Sequence, residues 1–324
     1  MSYKGGAVRP QAHPSFAHLR RLTDDTGLIE HALGRIPRRR EGYTTDDNAR
    51  ALWTATEWLS TGGDLLGPAD RSELKRLADI YLAFMLWAQE SDGWFLNNFA
   101  YDRTSEPEEI SHDCQGRSFW ACADAWIRLD GASRETARTV FERALPTVGR
   151  IDSLRGRSFA MASCAHVLQA SAEGSIELPL DVKSELQHHL VRLESLLNRA
   201  YRDFSDEDWR WFEPAMTYSN GVFPWAMLRT YRFTRRPDTY RAGIESLSFL
   251  IEAMTVEDGG SRWFRPIGNE GWCTNDSGTV SRWDQQPLEM FKLALALTEA
   301  ELAEDPPMLE RDRLVGSAPG SGSL

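Results

Sequence analysis

Cysteine is scarce in this chain. There are four in 324 residues, Cys114, Cys122, Cys164 and Cys273, and no two of them form a C-x-x-C pair. That spacing excludes a disulfide framework and a thiolate zinc site, and it points to free thiols in a reducing compartment. Long apolar runs are missing too: none reaches the roughly 18–20 residues of a membrane span. The opening stretch, Met1 to Phe16, is polar and has no apolar signal-peptide core. The expectation is therefore a cytoplasmic protein with no membrane partner. Positive charge is in deficit, with 37 Lys+Arg against 48 Asp+Glu and a net charge of −11. A nucleic-acid partner is excluded on that ground, because phosphate binding needs a basic surface. G-x-S-x-G, the P-loop, G-x-G-x-x-G and H-E-x-x-H are all absent, so no nucleotide, metal or other cofactor is expected.

Alternating strand patterns are also wanting, and the period that is present is helical. Ala49, Leu52, Trp53, Thr56 and Leu59 follow the i, i+3, i+4, i+7 rule, as do Leu74, Leu77, Ala78, Tyr81, Leu82 and Met85. Further helices are predicted over 113–129, 133–150, 156–172, 180–201, 218–233, 237–255 and 284–302, with an earlier one near 14–34 broken around Thr23–Gly27. Gly62-Gly63, Asp92-Gly93 and Asp258-Gly259-Gly260 read as linkers. An internal repeat organises these helices. Asp46-Asp47-Asn48-Ala49-Arg50-Ala51-Leu52-Trp53 aligns with Asp113-Cys114-Gln115-Gly116-Arg117-Ser118-Phe119-Trp120, and Gly116-Arg117-Ser118-Phe119 returns as Gly156-Arg157-Ser158-Phe159. Asn220-Gly221 precedes Trp225 at the spacing of Asn48-Ala49 before Trp53. Helices with a polar head thus alternate with plain amphipathic ones, the pattern of stacked helical hairpins. The predicted fold is all-α, an α/α barrel or toroid over 14–303, with a flexible N-terminus over 1–13 and a disordered tail over 304–324.

In such a fold the N-termini of the inner helices gather on one face, where free backbone N–H groups favour acidic side chains. Asp46, Asp47 and Asp113 can be read as helix caps after Thr44, Thr45 and Ser111. Capping does not call for His112 beside Asp113, for Trp211-Phe212-Glu213, or for Asp284-Gln285-Gln286. Glu213 lies among aromatics, an environment that raises a carboxyl pKa and suits a general acid. Gln and Asp side chains provide the paired hydrogen bonds that sugar hydroxyls take. The chain holds 12 Trp, 8 Tyr and 14 Phe. Trp53, Trp120 and Trp225, at matching places in helix bodies, read as core. Trp211, Trp263 and Trp272, near the polar heads, are the candidates for stacking against a sugar ring. His188-His189 reads as part of a solvated charged face and His166 as a core histidine.

Leu22-Thr23-Asp24-Asp25-Thr26-Gly27, His31-Ala32, and Gly42-Tyr43-Thr44-Thr45-Asp46-Asp47-Asn48-Ala49-Arg50-Ala51-Leu52 resemble a bacterial family of six-hairpin, glycosidase-like proteins found beside, or fused to, sugar-nucleotide glycosyltransferases. The resemblance continues through Trp211-Phe212-Glu213, Thr217-Tyr218-Ser219-Asn220, Pro266-Ile267-Gly268 with Gly271-Trp272, and Asp284-Gln285-Gln286-Pro287. More distantly the layout is similar to inverting glycosidases, unsaturated-uronyl hydrolases and N-acylglucosamine 2-epimerases. What it implies is a six-hairpin α/α barrel and carbohydrate chemistry. Five hairpins are predicted here, which makes the barrel incomplete at its C-terminal side. A homodimer, or a glycosyltransferase partner, would close that edge.

The function expected is that of an inverting glycoside hydrolase on an oligosaccharide or polysaccharide. It uses one carboxylic acid to protonate the leaving oxygen and one carboxylate to activate water. Glu213 is the expected acid, with Asp47 or Asp113 as base. Asp25, His31, Tyr43, Asp46, Arg50, His112, Arg117, Trp211, Tyr218, Asn220, Trp272, Asp284, Gln285 and Gln286 are expected to bind the sugar. Two other readings stay open. One is a sugar epimerase with His112 and His31 as paired bases. The other is a non-catalytic glycan-binding partner of a glycosyltransferase.

Overall fold

A computed structural model describes residues 14–303. The segments expected to be a flexible N-terminus, 1–13, and a disordered tail, 304–324, lie outside the described residues. The described chain divides into two units, residues 14–156 with 174–177 and residues 157–173 with 178–303.

The first unit holds α1 (Ala17–Leu22), α2 (Thr45–Thr61), α3 (Pro68–Ala88), α4 (His112–Arg128) and α5 (Gly131–Ala144), and the start of α6 (Leu154–Ala172). α2 packs on α3 and on α4, and α4 packs on α5. The two predicted helix kinds differ in how they are buried. α4 is buried without a break from Cys114 to Trp126, as befits a helix with neighbours all round. α3 buries one stripe, Leu74, Leu77, Ala78, Tyr81, Leu82, Phe84 and Met85, and leaves a polar face. Trp53 and Trp120 pack ring to ring, tilted by 31° with centroids 4.9 Å apart, between α2 and α4, and the Trp53 indole N–H donates to Asp124 Oδ2 at 2.7 Å. Both tryptophans are core, as their repeat positions predicted.

The repeated Gly-Arg-Ser-Phe has a steric cause. A Cβ on Gly116 would lie 2.4 Å from the carbonyl oxygen of Gly156, and one on Gly156 would lie 2.3 Å from that of His112. The two repeats meet backbone to backbone at their glycines, so no side chain fits at either position.

The second unit holds the rest of α6, then α7 (Leu180–Phe204), α8 (Val222–Thr234), α9 (Pro237–Met254) and α10 (Pro287–Leu302). α8 is its wrapped helix, buried from Val222 to Leu228 and packed on α9 and α10. Trp225 lies 6.0 Å from Phe159 in this core. His189 is buried, contrary to the solvated face expected for it. Burial depresses its pKa, against the pull of Glu185 one turn before it. Glu194 on the same helix is also buried, where it accepts from the Thr234 and Thr239 hydroxyls at 2.7 Å each.

Two sequence readings of local structure change. Residues 28–34 are not helical: Ile29 bridges to Tyr43, and β1 (Ala32–Leu33) turns back on β2 (Ile36–Pro37). The Asp258-Gly259-Gly260 linker is the tip of a hairpin between β6 (Thr255–Asp258) and β7 (Ser261–Phe264). Gly259 and Gly260 both take positive φ, 54° and 79°, as a tight two-residue turn requires. The other short pairs are β3 (Tyr43–Thr44) with β4 (Asn98–Phe99) and β5 (Ala215–Met216) with β8 (Cys273–Thr274). All four cysteines are free and buried. Among the described residues no helix is long and apolar enough to cross a membrane.

Gly116→Ala is expected to destabilise the chain by about 1–3 kcal/mol, since the opposing atoms are backbone and cannot turn aside. Urea unfolding followed by circular dichroism measures it. A loss of under about 0.5 kcal/mol, the usual range for a surface change, would show that the helices part freely there.

Candidate functional site

In each unit two polar helix heads are tied to each other. In the first unit the tie joins α2 and α4. Thr44 caps α2, its hydroxyl oxygen accepting the Asp47 N–H at 3.2 Å, and Ser111 caps α4 by accepting from the Cys114 N–H at 3.2 Å. Capping is thus done by Thr44 and Ser111, and the three aspartates beside them are available for other contacts. Asp46 pairs with the buried guanidinium of Arg117 on α4 and with Arg50 at 2.8 Å. Arg50 also donates to Asp47 at 2.5 Å. One arginine therefore clamps two carboxylates, and a second locks one of those to the neighbouring helix. Asp113 accepts from the Ser153 hydroxyl. His112 accepts the Asp152 N–H on Nδ1 at 2.9 Å, and its ring meets Trp94 edge-on at 5.4 Å.

The strand before α2 completes this cluster. Tyr43 is buried, with its hydroxyl donating to Asp24 Oδ2 at 2.7 Å and its ring stacked on Tyr101 at 5.9 Å. Burial, with the Asp24 hydrogen bond, raises the Tyr43 phenol well above its ordinary range, so it stays a proton donor. Asn48 fastens the loop in front: it accepts the Leu28 N–H at 2.8 Å and donates to the Thr44 carbonyl at 2.8 Å. The paired aspartates of the Asp24-Asp25 turn face different ways. Asp24 closes the turn on Thr26 N–H at 2.9 Å, whereas Asp25 is exposed and pairs with Arg103 at 3.1 Å. His31 is half-exposed, 3.3 Å from Glu30.

Glu30 was missed by sequence reasoning. Its backbone N–H donates to the Gly42 carbonyl at 3.0 Å, which fixes it beside the strand leading to α2. Burial, followed by the nearby carboxylates of Asp47, Glu41 and Glu106, raises its pKa, while His31 opposes the shift. The only signal in the sequence was the neighbouring His31. Glu108, also missed, accepts the Asn98 N–H at 2.8 Å and its side-chain amide at 2.7 Å. It thereby steadies Asn97, whose side chain accepts the Asp46 N–H at 3.1 Å.

In the second unit the tie joins α8 and α10. Glu289, buried on α10, accepts the N–H of Ser219, the N–H of Asn220 at 3.1 Å and the Asn220 side-chain amide at 2.9 Å. This holds Ser219 at φ 53°, fully buried, one residue before Asn220. Trp211 is fully buried against Phe223 at 5.6 Å and Phe212 at 5.9 Å, so its ring belongs to the core. Glu213 and Tyr218 are half-buried, and the Glu213 carbonyl accepts from the Trp209 indole at 2.8 Å. Trp272, Asp284, Gln285 and Gln286 are exposed. Gln286 donates to Asp284 at 3.3 Å. Among the described residues no group of three or more His, Cys, Asp or Glu is placed to hold a metal ion.

No family model matches the chain, and no curated protein matches it. Among solved structures it is similar to a glycoside hydrolase from family 105 of C. acetobutylicum ATCC 824, with a TM-score of 0.53 and 14% identity over 87% of this chain and 84% of that one. The shared feature is the all-α fold. The sequence reading expected that fold class, and at this identity the likeness extends to nothing further. A sugar epimerase from a ruminal bacterium has a TM-score of 0.46 and 8% identity, over 90% of this chain and 96% of that one. At that score nothing is argued from it.

Two outcomes are expected from this geometry. Asp46→Asn removes the carboxylate charge beside a buried arginine and should cost about 3 kcal/mol or more, read by urea unfolding. Loss of less than about 1 kcal/mol would mean that the pair is as weak as a surface one. For Glu30 the folded pKa lies above the unfolded one, so its protonated form favours the fold. That contribution is complete below the ordinary carboxylate range and is lost as pH rises through the raised value. Glu30→Gln should therefore melt higher than the parent at pH 7 and at the same temperature near pH 4. An equal gap at both pH values would contradict the raised pKa.

Proposed function

We propose that the chain is a carbohydrate-active protein, an inverting glycoside hydrolase acting on an oligosaccharide or polysaccharide. The observation that carries this reading is the cluster at the heads of α2 and α4. Asp46, Asp47 and Asp113 stand there beside Arg50, Arg117 and His112, with Thr44 and Ser111 already supplying the caps. Carboxylates that capping does not require, close to an aromatic pair, are the equipment for activating water and holding hydroxyls. A shared fold with a family 105 glycoside hydrolase is compatible with this chemistry.

Inversion needs an acid to protonate the leaving oxygen and a base to take a proton from water. Glu213 is proposed as the acid and Asp47 or Asp113 as the base. Arg50, which donates to Asp47 at 2.5 Å, orients that carboxylate. His112, Tyr43, Asp46, Asp25, His31 and Arg117 are proposed to bind or frame the sugar from the first unit. Tyr218, Asn220, Trp272, Asp284, Gln285 and Gln286, which belong to the second unit, are likewise proposed as sugar-binding residues. Trp211 supports that second group from the core. A cytoplasmic location, and a second copy or a glycosyltransferase as partner, go with this reading.

The test is release of reducing sugar from a panel of oligosaccharides and polysaccharides. Asp47→Asn, Asp113→Asn and Glu213→Gln should each lower kcat about 100-fold or more, with KM changed only a few-fold and melting temperature retained. No release of reducing sugar by the parent, with phosphate present or absent, would overturn the proposal.

A further inference from the structure

Exposed single apolar residues are ordinary on protein surfaces, but the second unit presents two tryptophans from one constrained hairpin. Trp283 is 72% exposed and Trp272 is 41% exposed. Glu270 faces Trp283 and Cys273 faces Val280 in the bridge pattern, and the Ser281 N–H donates to the Trp272 carbonyl at 2.8 Å. The register therefore places the two tryptophans at diagonal positions across the hairpin.

The hairpin is built to hold them outward. Trp272 has φ 53°, a conformation that bulky residues rarely adopt, and Asp284, next to Trp283, also has φ 53°. Such strain persists only where surrounding contacts over-determine it, and those contacts are present. The Gly268 N–H donates to Ser281 at 2.9 Å and the Asn269 N–H to Asp284 at 3.0 Å. A Cβ on Gly268 would lie 2.1 Å from the Trp283 carbonyl oxygen. The Trp272 indole N–H donates to Asn269 Oδ1 at 3.3 Å, which fixes the ring's edge. Exposed Asp284, Gln285 and Gln286 follow directly in the chain, and Gln286 is oriented toward the Asp284 carboxylate.

We propose that Trp283 and Trp272 form a stacking platform for the sugar rings of a polysaccharide chain, with Asp284 and Gln285 hydrogen-bonding the hydroxyls at its edge. The proposal rests on the carbohydrate reading above. A pyranose ring has an apolar C–H face and a rim of hydroxyls, and the hairpin offers an apolar indole face beside carboxylate and amide groups. The net charge of −11 disfavours a nucleic-acid strand as the stacked ligand.

Affinity electrophoresis of the full chain tests this, in gels containing hydroxyethylcellulose, xylan, polygalacturonate or dextran. At least one polymer should retard the parent, and Trp283→Ala and Trp272→Ala should each weaken that retardation tenfold or more. Far-ultraviolet circular dichroism should stay unchanged in both. Trp87→Ala, which removes an exposed tryptophan of the first unit, should leave retardation intact. No retardation by any of the four polymers, or retardation that survives both platform substitutions, would overturn the proposal. So would a concentration-dependent dimer, seen by analytical ultracentrifugation, that Trp283→Ala abolishes without any effect on polymer binding. The two readings separate cleanly. If binding depends on Trp283 and no reducing sugar appears, the hydrolase reading fails and the platform stands. If Asp47→Asn stops hydrolysis while Trp283→Ala changes nothing, the platform fails alone.

Discussion

The arrangement of the polar residues depends on one constraint: charged side chains buried where helix heads pack side by side must find partners there. In the first unit a buried arginine of α4 pairs with the first-turn aspartate of α2. In the second, a buried glutamate of α10 takes both backbone and side-chain donors from the residues before α8. A buried charge without its partner costs several kcal/mol, so each tie fixes the register of one helix head against the next.

The ties also explain how a polar cluster coexists with tight packing. α4 is buried from Cys114 to Trp126 and α8 from Val222 to Leu228, and their bodies carry small and aromatic residues. Gly116 and Gly156 let two helix starts touch backbone to backbone. In α4 the polar residues that reach the surface stand at its two ends, His112 and Asp113 at the start and Arg128 at the finish.

Much of this was legible in the sequence. The helical stripes of α2 and α3, the two kinds of helix, the repeated Gly-Arg-Ser-Phe and the core tryptophans follow from period and repeat, which are properties of neighbouring residues. The heads were legible as well, because Asp46-Asp47 and His112-Asp113 exceed what capping requires. Less visible were the small hairpins at 32–37 and 255–264, too short for any alternation to register. His189 and Glu194, on a helix that reads as a charged face, are both buried, and Glu194 accepts from the hydroxyls of Thr234 and Thr239, 40 or more residues away in the chain.

What the sequence determined by itself is the all-α class and the positions where polar groups must gather, since periodicity and capping are local effects. What only the tertiary structure decided is which member of each group does what. Asp24 turns inward to Tyr43 while Asp25 turns out to Arg103. Glu30 joins the carboxylates around Asp47, and only its neighbour His31 marks it in the sequence. Trp211 lies in the core, and Trp283 stands in water. Adjacent residues of one type are equivalent to any local rule. They are separated by burial and by the charge of distant neighbours, and both are set by packing between elements far apart in the chain.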